Sequence, residues 1–138
     1  MASIIDMQDM RYLNLFGRVT KINTRHCFMY NEIVIFCVPK NLISKAVGEK
    51  GKNVRKMSEM LRKKVKIIPM PRGIEDAKSF IENIVSPVTF KNLEVVDDEL
   101  ILTAGSQSKA ALIGRNKRRF LEMQKIVKGF FQKEFKIV

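Results

Sequence analysis

Two glycines separated by two residues mark the segment of this sequence that is best suited to bind a ligand. The segment is Gly48-Glu49-Lys50-Gly51, and helices are predicted on both sides of it. Glycine lets the backbone turn sharply and leaves no Cβ in the way of a ligand. The helix that begins at the loop directs its free N–H groups and its positive dipole end to the same place. This combination predicts a site for phosphate groups.

Cationic and apolar side chains surround this loop. The cations would hold the phosphates of a sugar–phosphate backbone, and the apolar side chains Ile43, Val47 and Val54 would line a groove that accepts unstacked bases. The alternative is that the two glycines form only a corner between two helices. The predicted binding residues in this half of the chain are Ile43, Lys45, Val47, Gly48, Glu49, Lys50, Gly51, Lys52, Asn53, Val54 and Arg55.

A second, altered version of the loop occurs later in the chain. It reads Gly114-Arg115-Asn116-Lys117, so that a lysine replaces the final glycine. Asn116 tolerates a left-handed conformation, whereas Lys117 keeps a side chain where close approach of a ligand is needed. We predict that this loop retains its electrostatic attraction and makes altered backbone contacts. The predicted binding residues here are Gly114, Arg115, Asn116, Lys117, Arg118 and Arg119.

The other polar residues do not form a catalytic or metal-binding pattern in the sequence. The acidic triplet 97–99 would suit a metal-dependent nuclease, but it aligns with a predicted turn at residues 31–32 and is interpreted as a solvated hairpin tip. His26 is the only histidine. Cys27 and Cys37 are interpreted as small apolar residues on neighbouring strands, with a disulfide as the alternative. The sequence thus predicts no catalytic residue, no metal, no cofactor and no small-molecule substrate.

The charge of the chain indicates a polyanionic partner. The 138 residues include 26 Lys and Arg against 14 Asp and Glu, which gives a net charge of +12. Nucleic acid is the commonest such partner, and an anionic membrane surface and general thermophilic basicity are the alternatives. No apolar run approaches the roughly 20 residues needed to span a bilayer, and the first residues lack the pattern of a secretory signal. The sequence therefore predicts a cytoplasmic protein without a membrane partner.

The positive charge occurs in two blocks, which suggests an internal repeat. The net charges are +1, +9, −5 and +7 over residues 1–38, 39–72, 73–104 and 105–138. When the chain is shifted along itself so that Gly48 falls on Gly114, apolar positions on both sides of the glycine align as well. The closing segments, 65–68 and 135–138, align only at a longer shift. The second copy therefore carries four extra residues in its last helix, about one helical turn.

Hydrophobic periodicity predicts the same order of elements in each copy, αββααβ. Asp6 is the predicted N-cap of the first helix, and the Pro- and Gly-containing segment 70–73 separates two predicted domains, 1–71 and 72–138. The elements predicted for the first copy are a helix at 6–20, strands at 25–30 and 33–38, a helix at 42–47, a helix from the loop to 61, and a strand at 65–70. Those predicted for the second copy are a helix at 74–85, strands at 89–96 and 99–103, helices at 107–113 and 118–131, and a strand at 135–138.

This combination of loop, element order and duplication resembles the KH domain in its prokaryotic (type II) arrangement. The hallmark of that family is a GXXG loop that clamps nucleic-acid backbone. The tandem layout resembles the archaeal NusA-like transcription factors, which consist of little more than two KH domains. The resemblance implies an α+β fold in which each domain has a three-stranded sheet with helices packed on one face. The segments that carry the resemblance are 10–16, 46–54, 62–67 and 80–87.

The resemblance also implies a function, that of a non-enzymatic protein that grips single-stranded RNA. Phosphates would lie at residues 48–51 and, more loosely, at residues 114–117, with bases in apolar grooves beside each loop. The resemblance further implies a role in transcription elongation or termination through nascent RNA, with RNA polymerase as the protein partner. Three alternatives stay open. They are an adaptor that docks on polymerase or ribosome, a coat that binds DNA or RNA without regard to strandedness, and an enzyme, which the missing catalytic pattern disfavours.

Overall fold

The computed structural model describes residues 7–138, so the N-cap predicted at Asp6 lies outside the described residues. The chain divides into two compact units, and the division falls between Met70 and Pro71. Each unit contains one three-stranded sheet together with helices. The α+β class predicted from the sequence is therefore confirmed. Within the described range, no helix is both long and apolar enough to cross a bilayer.

The first unit follows the predicted order αββααβ. Its strand β2 lies in the middle of the sheet, antiparallel to β1 and parallel to β3. A parallel pair of strands requires a long crossover connection, and α2, the glycine loop and α3 together form it. The candidate loop is thus part of the connection between two neighbouring strands. The elements of this unit are α1 (Met7–Thr20), β1 (Cys27–Tyr30), β2 (Ile33–Val38), α2 (Ile43–Val47), α3 (Lys52–Leu61) and β3 (Lys64–Pro69).

The hairpin between β1 and β2 has a two-residue turn. Tyr30 is opposite Ile33 in the register, and the intervening Asn31 and Glu32 have φ angles of 52° and 63°. Positive φ at both central residues is the requirement of a type I′ turn, whose twist matches that of the flanking strands. Asn is among the residues that adopt this conformation readily. The turn predicted at these two residues is confirmed.

Strand β1 begins at Cys27, two residues later than the sequence predicted. The Thr24 hydroxyl donates a hydrogen bond of 2.6 Å to the Cys37 carbonyl oxygen. The Thr24 hydroxyl therefore occupies the carbonyl oxygen that would have accepted the next backbone hydrogen bond of a longer β1. Side-chain bonds of this kind compete locally with strand pairing, and the apolar pattern of the sequence does not reveal them.

The two cysteines are free thiols. Cys27 is opposite Phe36 in the antiparallel register. Cys37 follows Phe36 directly, and successive side chains of a strand point to opposite faces, so the two thiols lie on different faces of the sheet. Burial, together with the nearby Cys27, raises the pKa of the Cys37 thiol well above its ordinary value, which keeps it protonated and unreactive. The interpretation of these residues as small apolar side chains fits this arrangement, and the disulfide alternative is wrong.

The core of the first unit lies between the sheet and its helices. Val34 and Phe36 of β2 lie on the helix side of the strand and are fully buried. Phe16 of α1 stacks on Phe36 with ring centroids 4.5 Å apart. Ala46 of α2 and Met57 of α3 are fully buried in the same cluster. Burial of a large apolar side chain such as Met57 contributes about 1.5–3 kcal/mol, which anchors α3, while the small Ala46 lets α2 pack closely against the same cluster.

The second unit repeats this architecture. Its strand β5 lies between β4, to which it is antiparallel, and β6, to which it is parallel. Leu100 and Leu102 of β5 are fully buried, as is Val127 of the last helix. The elements of this unit are α4 (Ala77–Val85), β4 (Asn92–Val96), β5 (Glu99–Thr103), α5 (Ser106–Ile113), α6 (Arg118–Phe131) and β6 (Glu134–Ile137).

The boundaries of several elements in the second unit differ from the prediction. The helix predicted from residue 74 begins with a 3₁₀ turn at Ile74–Asp76 before α4. Strand β4 begins at Asn92 rather than at residue 89, because a backbone hydrogen bond from Val88 to Val85 (2.9 Å) first turns the chain away from α4. Strand β6 is one residue earlier than predicted.

The lengths of the last helices agree with the predicted repeat. α3 has 10 residues and α6 has 14, and the difference equals the lengthening that the sequence repeat predicted for the second copy. Both helices end in a left-handed residue, Arg62 and Gln132 respectively. The additional turn lies at the C-terminal end of α6, and α6 begins directly after its loop as α3 does.

Candidate nucleic-acid interface

The glycine loop of the first unit is a tight turn between α2 and α3. The Gly48 N–H donates to the Ser44 carbonyl (3.0 Å) and closes α2, and the Gly51 N–H donates to the Gly48 carbonyl (3.1 Å). Lys50 (φ 55°, ψ 30°) and Gly51 (φ 74°, ψ 19°) are both left-handed. No side chain of the described residues caps the start of α3. The Lys52 N–H donates to the Glu49 carbonyl oxygen, so the helix N–H groups available to an anionic ligand are those that follow Lys52.

The two glycines are required for different reasons. Gly48 has φ 82° and ψ 166°, a region that is essentially restricted to glycine. A Cβ atom there would also lie 2.9 Å from Cγ and 3.0 Å from the backbone N of Asn53. A Cβ on Gly51 would meet only the Arg55 Nη1 atom, at 3.4 Å, so that only the positive φ angle favours glycine at this position.

Two of the predicted binding residues also hold the loop in place. The Asn53 side-chain amide donates to the Lys45 carbonyl oxygen over 3.4 Å, which links the start of α3 back to α2. The Arg55 guanidinium donates to the Lys50 carbonyl oxygen within the loop. Because these two hydrogen bonds fix the shape of the loop, Asn53 and Arg55 are positioning residues, in addition to any contact that they make with a ligand.

The remaining predicted residues of the first loop form a cationic, partly apolar surface. The side chains of Lys45, Lys50 and Lys52 are exposed, as is Glu49. Ile43, Val47 and Val54 are half-buried, and Ile43 also packs against the core cluster. The structure thus brings solvated cations and partly exposed apolar groups together around a turn that holds free N–H donors. Phosphate and the flat face of a base are the two chemistries that such a surface accommodates.

The second loop has the same backbone shape as the first. Gly114 (φ 74°, ψ 174°), Asn116 (φ 56°, ψ 29°) and Lys117 (φ 59°, ψ 22°) reproduce the angles of their counterparts in the first loop. The two closing hydrogen bonds also recur, from Gly114 N–H to the Ala110 carbonyl (3.0 Å) and from Lys117 N–H to the Gly114 carbonyl (3.2 Å). The loops differ at their final position, where Lys117 is left-handed despite its Cβ, a conformation that costs roughly 1–2 kcal/mol.

Arg119 occupies the place that Asn53 occupies in the first unit. Its Nη1 atom donates to the Ala111 carbonyl over 2.9 Å, and Ala111 is the counterpart of Lys45 in the repeat. A Cβ on Gly114 would lie 2.9 Å from the Arg119 Cγ. Sequence reasoning placed Arg119 with the cations that face a ligand, whereas its guanidinium ties α6 back to α5. The exposed cations of this loop are Arg115, Lys117 and Arg118.

The acidic triplet of the second unit lies at the tip of the β4–β5 hairpin. Val96 is opposite Glu99 in the register, so residues 97 and 98 form the turn. Glu99 forms an ion pair with Lys136 (2.7 Å), and the Lys133 Nζ donates to the Asp97 carbonyl (2.9 Å). In the part of the chain that the structure describes, no group of three His, Cys, Asp or Glu side chains is arranged to hold a metal ion.

Sequence reasoning left out three exposed cations at the end of α3. Arg62, Lys63 and Lys64 follow the helix directly and are all solvent-exposed. The run of basic residues, and its place directly after the helix predicted to end at residue 61, were visible in the sequence, but these residues were not counted among the binding residues.

Comparison with known proteins gives relatives of one kind. The chain is 29% identical over 91 residues to the probable transcription termination protein NusA of Methanococcus vannielii, a match that covers 66% of this chain and 51% of that protein. It is 27% identical over 88 residues to the protein of the same name from Methanocaldococcus jannaschii, covering 64% and 46% respectively. The matches thus span about half the length of these relatives. No protein-family model matches the chain.

A solved structure shares the fold. The crystal structure of APE1850 matches with a TM-score of 0.64 and 19% sequence identity, over 96% of this chain and 99% of that one. At this identity the match concerns the fold alone. The two relatives confirm the similarity to archaeal NusA-like proteins that the sequence predicted.

Proposed function

We propose that this NusA-like chain is a non-enzymatic RNA-binding protein made of two type II KH domains, residues 1–71 and 72–138. It would act in transcription elongation or termination by gripping single-stranded nascent RNA. The observation that carries this proposal is the pair of loops with the same left-handed backbone, each between two helices and each surrounded by exposed lysine or arginine. A simple helical corner would not need the same unusual angles twice, with a lysine strained into place in the second copy.

In the proposed mechanism the first loop binds phosphates of the RNA strand. The free N–H groups at the start of α3 donate to phosphate oxygens, and Gly51 allows the strand to approach closely. Lys50 and Lys52 add attraction that depends on salt. Bases leave the stack and lie against apolar side chains of residues 43, 47 and 54, where apolar contact does not require a particular sequence.

The second loop has the same role in a weaker form. Its backbone shape is retained, but the Lys117 side chain projects where Gly51 leaves open space. Arg115 and Arg118 supply attraction without a close approach of the strand to the backbone. The chain would therefore hold RNA tightly at one site and loosely at the other.

The protein partner in this proposal is RNA polymerase. The support is the name of the two relatives, probable transcription termination protein NusA, since a termination factor acts where the transcript leaves the enzyme. The acidic hairpin of the second unit would be available for such docking, with Val95 and Val96 of β4 exposed beside it. If this docking were the whole function, substitutions in the loops would leave partner binding unchanged.

The test is a comparison of Lys50→Asp and Lys117→Asp in fluorescence anisotropy with labelled single-stranded RNA. Both residues are exposed and left-handed, a conformation that Asp tolerates. Losing one charge-assisted contact lowers affinity by about tenfold, and Lys50→Asp is expected to reach this loss. Lys117→Asp is expected to lower the RNA affinity clearly less than Lys50→Asp does. Lys78→Asp, on the exposed side of α4, is the matched control and should lose least. Equal losses in all three variants would contradict the proposal.

A further inference from the structure

Each unit has an open groove on the outer side of its last helix, beside the start of its last strand. The internal repeat matches five of the six residues that line one groove with residues that line the other, so the grooves are the same structural place in the two copies. The α3 groove is lined by Arg55, Ser58, Glu59, Arg62, Lys63 and Lys64. The α6 groove is lined by Leu121, Gln124, Lys125, Lys128, Glu134 and Phe135.

The two grooves differ in charge. The α3 groove contains four cations and one carboxylate. The α6 groove contains two cations and one carboxylate, and Lys128 is paired with Glu134 at 3.0 Å. Leu121 stands where the first unit has Arg55. Within the described residues, no ion pair neutralises a cation of the α3 groove. Like charges held close together repel one another, and an anionic ligand would relieve that repulsion.

The backbone that carries these cations is fixed before any ligand arrives. Arg62 ends α3 in a left-handed conformation (φ 56°, ψ 36°). The Ser58 hydroxyl donates to the Lys63 carbonyl over 2.7 Å, and Lys64 is already paired with Ile33 in the sheet. A ligand therefore needs to order only side chains, which lowers the entropy lost on binding.

Stabilisation of the helix end does not account for all four cations. A helix C-terminus favours nearby positive charge, and α6 satisfies this preference with Lys128 in its last turn. In the first unit, Arg55 lies in the first turn of α3, far from that end. The charge of the α3 groove thus exceeds what the helix requires.

The α3 groove is continuous with the first loop through Arg55. This side chain lines the groove and also donates to the Lys50 carbonyl in the loop. The ten residues of α3 span about 15 Å at 1.5 Å per residue. An RNA strand whose phosphates lie at the loop can therefore continue along α3 and reach Arg62 and Lys63 within a few nucleotides.

We propose that the α3 groove binds the sugar–phosphate backbone of the RNA strand just beyond the nucleotides held at residues 48–51, and that the α6 groove does not. The groove would extend the contact of the first unit and make its affinity depend on RNA length. This inference rests on the proposed function, since it concerns the same strand.

The test measures the affinity of the full-length protein for two labelled oligouridylates by fluorescence anisotropy over a salt series. One has about four nucleotides, the length that a KH loop clamps, and the other about twelve. The groove variant combines Lys63→Gln and Lys64→Gln. The matched control combines Lys125→Gln and Lys128→Gln, which removes the same charge from the α6 groove. Lys50→Asp reports on the loop, and circular dichroism checks that each variant is folded.

We expect the groove variant to bind the longer RNA about tenfold more weakly than the unsubstituted protein and the shorter RNA nearly as well. Its salt slope should fall by about 1.4, which is 0.7 for each of two lost phosphate contacts. The control should change the affinity less than about twofold, well below one charge-assisted contact. Equal losses in groove variant and control would overturn the inference and indicate bulk charge.

Two further outcomes separate this inference from the proposed function. If Lys50→Asp weakens binding and the groove variant binds both RNAs normally, the groove inference is overturned and the proposed function stands. If the unsubstituted protein binds neither RNA, both are overturned.

Discussion

At the scale of single residues, the backbone angles of the two loops decide which residue types each position accepts. Gly48 and Gly114 combine a glycine-only conformation with a neighbour that would touch any Cβ atom. Gly51 has only the first constraint, in a milder left-handed form, and Lys117 shows that a side chain can be tolerated there. The four positions therefore fall into two classes that a GXXG pattern does not distinguish.

This difference predicts unequal effects of alanine on stability. Gly48→Ala is expected to lower the free energy of unfolding by about 2–3 kcal/mol, because the residue is forced into a strained region and its Cβ meets the backbone of Asn53. Gly51→Ala is expected to lower it by only about 1 kcal/mol. Urea unfolding monitored by circular dichroism measures both. Equal losses, or a larger loss at Gly51, would show that contact with Asn53 is unimportant.

The residues of both loops could be identified from the sequence, but the role of each could not. The glycine spacing and the surrounding cations predicted the position of both loops and, as an untested expectation, a phosphate site at each. Arg119 was indistinguishable from its neighbour Arg118, because both are basic and adjacent in sequence. Its bond to the Ala111 carbonyl depends on the angle between two helices, which no local pattern encodes.

At the scale of elements, each loop is held by a link between the helices on either side. Asn53 makes this link in the first unit and Arg119 in the second, to carbonyl groups at equivalent positions. Two chemically different side chains thus perform the same task. In each unit the link fixes the orientation of the helix that follows the loop, so that the free N–H groups at its start face the loop.

The link predicts a contrast between two adjacent arginines. Arg119→Ala is expected to lower the free energy of unfolding by about 1 kcal/mol, because it removes a partly buried hydrogen bond. Arg118→Ala is the control, since its side chain is exposed, and it should stay within about 0.5 kcal/mol of the unsubstituted protein. Urea unfolding compares the two. A larger effect at Arg118 would contradict the assigned link.

Most elements were predictable because most of the helices and strands have a clear apolar periodicity, although α5 and β4 do not. Two of the boundaries that failed did so where a side chain or a turn took over a backbone hydrogen bond. At β1 the Thr24 hydroxyl binds the Cys37 carbonyl, and before β4 a bond between Val88 and Val85 redirects the chain. Neither bond changes the apolar pattern, so neither is visible in it.

At the scale of the whole molecule, the positive charge is unequally divided. Residues 1–70 carry a net charge of +9 and residues 71–138 one of +3. The unit with the larger positive charge is also the one that has the intact GXXG sequence and the groove with four cations. The repeat could be read from the sequence, whereas the equivalence of the two grooves required the folded chain, because their residues come from a helix and a strand.

Under the proposed function, this unequal charge would make the first unit the main site of RNA binding. Attraction by charge alone would treat single and double strands similarly, because both present phosphates. A loop that clamps backbone while bases lie against apolar side chains requires bases that are not paired. Preference for single strands is therefore the property that separates the proposed mechanism from a basic coat.

The most direct test is fluorescence anisotropy with single-stranded RNA, single-stranded DNA and duplex of matched length, across a salt series, using the unsubstituted protein and Lys50→Asp. The proposed mechanism predicts that the protein prefers single strands over duplex and that Lys50→Asp abolishes most of this preference. Binding that ignores both strandedness and the substitution would contradict it and would assign the charge to nonspecific attraction.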